Sequence, residues 1–153
     1  MHPINEVRPL PPECNQFFAV FQRFEYALKK HSKFLMHEEV GSDARANWQE
    51  FGNALGDSFF DRIQKEKLAD TLISCPPKKE IVVADGKCDF QVEKSPTRSS
   101  ELFTAVCRVR NNLFHGGKPL IDTRSETLIK ESLVVLDEAL IACEEIRRTF
   151  LGY

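Results

Sequence analysis

The chain has 153 residues, of which 42% are hydrophobic and 29% charged, and its formal net charge at pH 7 is −2. This length suffices for one domain with its own core, and the composition excludes intrinsic disorder. No apolar run approaches the roughly 20 residues of a membrane-spanning helix, and the N-terminus lacks the basic and apolar segments of a signal peptide, so the sequence predicts a cytoplasmic protein without membrane association.

Four prolines lie within residues 1–12, which are therefore predicted to form an extended, non-helical lead-in. An amphipathic helix is predicted over about 13–36, because phenylalanine and leucine recur there at spacings of three, four and seven residues. The next helix is predicted over about 44–55. Ser42 or Asp43 would cap it by accepting from its free backbone amides.

A third helix is predicted over about 57–73, up to a Cys-Pro-Pro sequence that ends it. Residues 80–92 change to a β-type pattern, in which two β-branched and aromatic runs flank Asp85-Gly86, a favoured two-residue hairpin turn. This segment is predicted to be a small β-hairpin inserted between helices.

The second half of the chain is predicted to be helical again. Ser100 would cap a helix that carries the apolar residues of 102–113, and a long helix is predicted over about 125–150. The chain is therefore assigned to the all-α class, as a single domain over 1–153. The expected architecture is an up-and-down bundle of about five helices with the hairpin inserted near residues 80–92.

The five cysteines form no CxxC pair and have no nearby histidine at metal-ligand spacing, so they are predicted to be free thiols: Cys14, Cys75, Cys88, Cys107 and Cys143. The histidines also lack the spacing of a helical metal site. The sequence therefore predicts neither a metal nor a cofactor.

Residues 110–117 read RNNLFHGG and lie where a helical pattern meets two glycines. The run places a permanent cation, Arg110, and a side chain that titrates near neutral pH, His115, at a helix end. It resembles the R-x(4–6)-H signature of the HEPN superfamily (higher eukaryotes and prokaryotes nucleotide-binding domain). Arg108 also stands at a permitted distance from His115. Because the family prefers a polar residue directly after the arginine, Arg110, which Asn111 follows, is the predicted functional arginine.

The resemblance implies a helical, metal-independent endoribonuclease that acts as a homodimer with a composite site. It further implies a toxin–antitoxin or antiviral setting, with an antitoxin or a nucleotidyltransferase as possible partner. On an ideal helix Arg110 and His115 are about 140° apart with ~7.5 Å of rise. Either a frayed last turn before the glycines or a two-fold dimer would therefore have to bring such groups together.

The chemistry of the candidate catalytic residues fits RNA cleavage through the 2′-hydroxyl. His115 can act as general base or general acid, Arg110 can stabilise the charge on the phosphorane, and Asn111 can orient either side chain. Between residues 78 and 130 ten basic and seven acidic residues leave a local charge of +3. RNA-phosphate contacts are predicted for three cations near the motif: Arg108, Lys118 and Arg124. The alternative is a non-catalytic HEPN module that binds a nucleotide, RNA or a partner protein.

Overall fold

The computed structural model describes residues 2–117 and 121–153, and in these ranges the chain is mainly helical with one β-hairpin. This confirms the predicted mainly-α class and the hairpin. The described residues form six α-helices and two strands: α1 Pro12–Lys29, α2 Trp48–Lys65, α3 Asp70–Ser74, β1 Lys79–Ala84, β2 Lys87–Gln91, α4 Ser99–Phe114, α5 Thr123–Ala142 and α6 Glu144–Leu151. The strands pair antiparallel, from Lys79 opposite Gln91 to Ala84 opposite Lys87.

An aromatic cluster forms the centre of the core and joins α1, α2 and α4. The indole of Trp48 stacks on the rings of Phe21, Phe24 and Phe103, at centroid distances of 5.0, 5.1 and 5.8 Å. Phe51 packs against Phe24 and Phe103. Large aromatic side chains bury the most apolar surface and favour such offset and edge contacts. Phe21 and Phe24 of α1 are therefore packed within this core.

Helices α2 and α4 are in close backbone contact at Gly52. A Cβ atom at this position would lie 2.5 Å from the Cα of Ser100 and 2.6 Å from its backbone nitrogen. Since these are main-chain atoms, no side-chain rotation would relieve the overlap. The absence of a side chain at Gly52 thus sets the distance between the two helices.

The predicted break between the second and third helices is present as a kink inside α2. Gly56 has φ 74° and ψ −172°, which is outside the helical range, and helix continues on both sides of it. The hydroxyl of Ser99 donates to the carbonyl of Gly56 at 2.6 Å. The kink therefore lies against the first turn of α4.

Three predicted helix lengths are wrong, because the backbone leaves helical geometry inside each predicted range. The helix predicted over 13–36 ends at Lys29, and Phe34 instead lies in a 3₁₀ turn and packs on Phe51, with the ring centroids 5.4 Å apart. The helix predicted over 57–73 is divided at Lys67, which has φ 54°, and a bond from the N–H of Leu68 to the carbonyl of Ile63 closes the end of α2.

The helix predicted over 125–150 is divided as well. Cys143 has φ −126° and ψ 92°, which separates α5 from α6. The short helix α6 is held against the end of α1 through His31, whose ring nitrogens lie 2.9 Å from a Glu145 carboxylate oxygen and 2.9 Å from the Thr149 hydroxyl. The N-terminal prediction is also wrong in part, since residues 3–6 form one 3₁₀ turn.

The predicted caps are wrong at two helices. Asn47, not Ser42 or Asp43, caps α2, and its side chain accepts from the backbone N–H of Glu50 at 3.0 Å. Ser100 lies inside the first turn of α4 and is buried. The start of that helix is closed by Glu101, whose carboxylate accepts from the backbone N–H of Thr97 at 3.1 Å. No helix in the described ranges has both the length and the apolar character needed to cross a bilayer.

Candidate functional site

The motif lies at the C-terminal end of α4, where the sequence predicted a helix end. Phe114 is the last helical residue, and His115 follows as the C-cap with its backbone N–H donating to the carbonyl of Asn111 at 2.8 Å. Gly116 then takes φ 71°, in the left-handed region that favours glycine. The His115 side chain is exposed, so the imidazole is accessible from solvent.

Arg110, five residues before His115, lies between two aromatic rings. Its guanidinium carbon is 5.6 Å from the ring centroid of Phe21 and 5.2 Å from that of Phe114. One guanidinium nitrogen donates to the side-chain oxygen of Asn111 at 3.0 Å. No carboxylate in the described residues forms an ion pair with Arg110. The guanidinium is therefore held by ring faces and one amide, and its positive charge is not neutralised by a bound acid.

The groove beside Arg110 has a volume of about 280 Å³ and brings His115 together with Arg108 and Asn111. Arg108 shares the groove because seven residues advance a helix by nearly two full turns, which leaves the two side chains only about 20° apart. Its guanidinium lies 3.6 Å from a carboxylate oxygen of Glu93, and both partners are partly exposed. The remaining groove residues are Lys79, Glu80, Asn112 and Gly117.

The two candidate arginines therefore approach the motif from different sides. Arg108 lines the groove with His115, whereas Arg110 lies over Phe21 and is not among the groove-lining residues. Asn111 links the two sides, because it lines the groove and also accepts from Arg110. Within a single chain, the structure thus brings His115 together with Arg108 and Asn111, and it leaves Arg110 on the adjacent face.

The sequence analysis did not predict the groove residues Asn112, Lys79 and Glu80. Asn112 donates its side-chain amide to the carbonyl of Lys78 at 2.8 Å and so ties the end of α4 to the start of β1. Lys79 belongs to β1 and adds a cation to the groove. Their signal in the sequence is weak, because the hairpin and the motif are separated by about thirty residues. The second asparagine of the motif is the only local indication.

The other predicted RNA contacts differ in their placement. Arg124 donates to the backbone carbonyls of Cys75 and Pro76, at 2.8 and 2.9 Å, and so holds the chain that follows α3. This guanidinium therefore has a structural role outside the groove. Lys118 lies outside the described residues.

Cys107 lies one turn before Arg110 and packs against the core. Burial, together with the charge of Glu25, raises the pKa of its thiol to about 12 against the opposing effect of Arg110 and Arg108. The thiol is therefore protonated at neutral pH and is a poor nucleophile. Glu25 itself accepts from the indole N–H of Trp48 at 3.2 Å. The chemistry of this surface thus falls to histidine, arginine and amide groups.

Across the described ranges, no group of three or more His, Cys, Asp or Glu side chains is arranged to hold a metal ion. No protein-family model matches the chain, and neither the curated proteins nor the solved structures give a match. The motif and the groove around it are therefore the features that point to a function.

Proposed function

We propose that this protein is a metal-independent endoribonuclease of the HEPN type. The observation that carries the proposal is the exposed groove at the end of α4, in which His115 lies with Arg108 and Asn111 while Arg110 stands on the adjacent face. Cleavage of a phosphodiester without a metal requires a group that transfers protons and a positive charge that stabilises the phosphate oxygens. An imidazole next to guanidinium groups supplies both. The remaining cation of the groove, Lys79, adds attraction for the RNA backbone.

The proposed reaction transfers the phosphate within the RNA strand. The 2′-oxygen attacks the adjacent phosphorus as a base removes its proton, the bond from phosphorus to the 5′-oxygen breaks, and an acid protonates the leaving oxygen. The products are a 2′,3′-cyclic phosphate and a 5′-hydroxyl end. His115 supplies a proton acceptor or donor, and an arginine fork stabilises the charge that builds up on the phosphate oxygens.

Two proton transfers and one histidine in each motif favour a two-fold homodimer with a composite site. Around a two-fold axis one His115 can act as base and its copy as acid, and Arg110 of one protomer can face His115 of the other. Exposed apolar surface beside the motif supports such pairing, because Phe114 is 66% exposed and packs edge-on against Phe18.

Light scattering over a concentration series should therefore give about twice the 17.5 kDa chain mass. Phe114→Glu places a carboxylate on the proposed interface and should shift the protein toward the monomer. The control is Ile141→Glu, which changes an equally exposed apolar residue of α5 and should leave the dimer intact. A wild-type protein that stays monomeric at tens of micromolar would contradict the composite site.

The resemblance to HEPN proteins also supports the wider proposal. This wider proposal includes a cytoplasmic location and an up-and-down arrangement of the helices. It also includes a role in a toxin–antitoxin or antiviral system, with an antitoxin or a nucleotidyltransferase as partner. These features belong to the family rather than to the groove. The nuclease assay below tests only the chemistry.

Purified protein should cut single-stranded RNA in the presence of EDTA, since no metal ion is proposed to activate the nucleophile. The same sequence with 2′-deoxyribose should resist, because it lacks the attacking hydroxyl. End analysis should detect cyclic phosphate and 5′-hydroxyl termini. Cleavage of the deoxy strand, or activity that appears only after a divalent cation is added, would contradict the mechanism.

The second candidate function is a non-catalytic module that binds RNA, a nucleotide or a partner protein through the same surface. The ion pair between Arg108 and Glu93 favours it, because the arginine that shares the groove with His115 already has an acidic partner. If folded wild-type protein binds RNA and does not cleave it, the result would support this second function over the endoribonuclease.

A further inference from the structure

A second cavity, of about 280 Å³, lies directly beside the groove and is enclosed by the hairpin, α4 and the first turns of α5. Its lining includes the apolar residues Val109, Leu113 and Leu128 and the polar residues Asp89 and Ser125. Drug-sized ligands occupy pockets of roughly 300–1,000 Å³. The cavity is therefore suited to a smaller planar group, such as a single nucleobase.

The cavity and the groove share part of their lining. Asn112 and Gly117 border both, and the side chain of Asn112 is fixed between them by its hydrogen bond to the carbonyl of Lys78. A nucleotide whose phosphate lies beside His115 therefore has the mouth of this cavity within reach of its base. Single-stranded RNA is commonly read in this way, with an unstacked base inserted into a pocket and bonded along its edge.

We propose that this cavity binds the guanine base of the nucleotide next to the scissile phosphate, so that the protein cuts single-stranded RNA beside guanosine. The inference rests on the proposed endoribonuclease function and names its substrate preference. It requires only that the phosphate occupies the groove and that the base turns toward the hairpin.

The polar groups of the cavity favour guanine over the other bases. The carboxylate of Asp89 only accepts hydrogen bonds, and one of its oxygens already accepts from the backbone N–H of Phe90 at 2.7 Å. Its remaining acceptor sites match the adjacent N1–H and 2-amino donors of guanine. Adenine and cytosine would place a ring-nitrogen acceptor, and uracil two carbonyl acceptors, in the same region, where they would face the carboxylate unpaired.

Cations among the lining residues of the cavity complement the acceptors of guanine. Lys78 and Arg124 both line the cavity, and lysine and arginine are the side chains that most often bind O6 and N7 of this base. Arg124 already donates through one terminal nitrogen to the carbonyls of Cys75 and Pro76, and the guanidinium carries further N–H groups. The lining residues therefore supply both donors and acceptors for a single base.

Binding of guanosine monophosphate and adenosine monophosphate should be measured calorimetrically, on a His115→Ala background that prevents turnover. We expect selective binding of the guanosine nucleotide. Asp89→Asn keeps the shape and the acceptor for the Phe90 amide but offers one acceptor where guanine needs two. It should weaken guanosine binding by roughly tenfold or more and leave adenosine binding unchanged.

A second pair of variants blocks the cavity without touching the groove. Ser125→Phe places a ring in the cavity, while its backbone N–H keeps the capping bond to Asp122. Thr123→Phe adds the same ring to an exposed position of the same helix outside the cavity. Only the Ser125 variant should abolish guanosine binding. If that variant fails to fold, the isosteric Asp89 variant still decides the question.

Mapping the cleavage sites of the otherwise wild-type chain on mixed-sequence RNA separates the two proposals. Cuts concentrated beside guanosine, with the preference lost in Asp89→Asn, support the base site. Cuts without base preference, or a preference that neither variant alters, overturn the base site and leave the endoribonuclease intact. Selective guanosine binding by a protein that cuts no RNA supports the base site and contradicts the endoribonuclease.

Discussion

Replacement of His115 by alanine should reduce the rate of RNA cleavage by about 10²- to 10⁴-fold, the usual cost of losing a general acid or base. The side chain is exposed at the helix end and only its backbone is bonded within α4, so the thermal unfolding midpoint should remain close to that of the wild type. The matched control is His37→Ala, which removes an exposed histidine far along the chain from the motif and should leave the rate unchanged.

The same cleavage assay determines whether Arg108 or Arg110 stabilises the phosphorane. Arg110→Ala should lower the rate by a factor comparable to that of His115→Ala, because it removes the guanidinium proposed to stabilise the phosphorane. Arg110→Lys keeps the charge but loses the planar fork, and should recover only part of the activity. If Arg108→Ala is inactive while Arg110→Ala is fully active, the groove works within one chain and the composite site is wrong. Undiminished cleavage by the His115 and Arg110 variants would contradict the mechanism itself.

Gly52→Ala should destabilise the fold by about 3 kcal/mol or more, at the upper end of what overpacking costs in a protein core. The added methyl group would lie 2.5 Å from the Cα of Ser100, so α2 and α4 would have to separate along the buried face that carries Phe51 and Phe103. Such a loss is a large fraction of the stability of a domain of this size.

Chemical denaturation followed by circular dichroism measures this effect. Asn53→Ala changes the neighbouring, exposed position of the same helix and serves as the control, with an expected change of less than about 0.5 kcal/mol. A Gly52→Ala protein as stable as this control would show that the two helices can move apart at no cost. In that case the close approach would not determine the packing of α4.

The sequence predicted the helical class and the hairpin because hydrophobic period and turn chemistry are local signals. The prediction of helix ends failed where a residue fits the apolar pattern of a helix but packs on the core from outside that helix. Phe34 continues the apolar stripe of α1, yet it lies in a 3₁₀ turn and packs on Phe51. The cap of α2 was misplaced for a similar reason. Ser42 and Asn47 are both good caps, and only the tertiary path of the chain selects the second.

The candidate site was partly visible in the sequence. The two glycines after His115 correctly indicated a helix end. Arg108 and His115 are seven residues apart and share the groove, whereas the sequence analysis preferred Arg110 because a polar residue follows it. The contribution of the hairpin was not visible. The contact of Asn112 with Lys78, and the cavity beside it, depend on how residues about thirty positions apart meet in space.

The aromatic core also gives the protein an optical signal that requires no label. Trp48 is the only tryptophan of the chain, and its indole stacks on Phe21 at 5.0 Å. The same phenylalanine ring also contacts Arg110, whose guanidinium carbon lies 5.6 Å from the ring centroid. A polyanion that draws Arg110 away from Phe21 should alter the packing around this ring and, through it, the environment of Trp48. The fluorescence emission of Trp48 should therefore change when RNA binds at the motif.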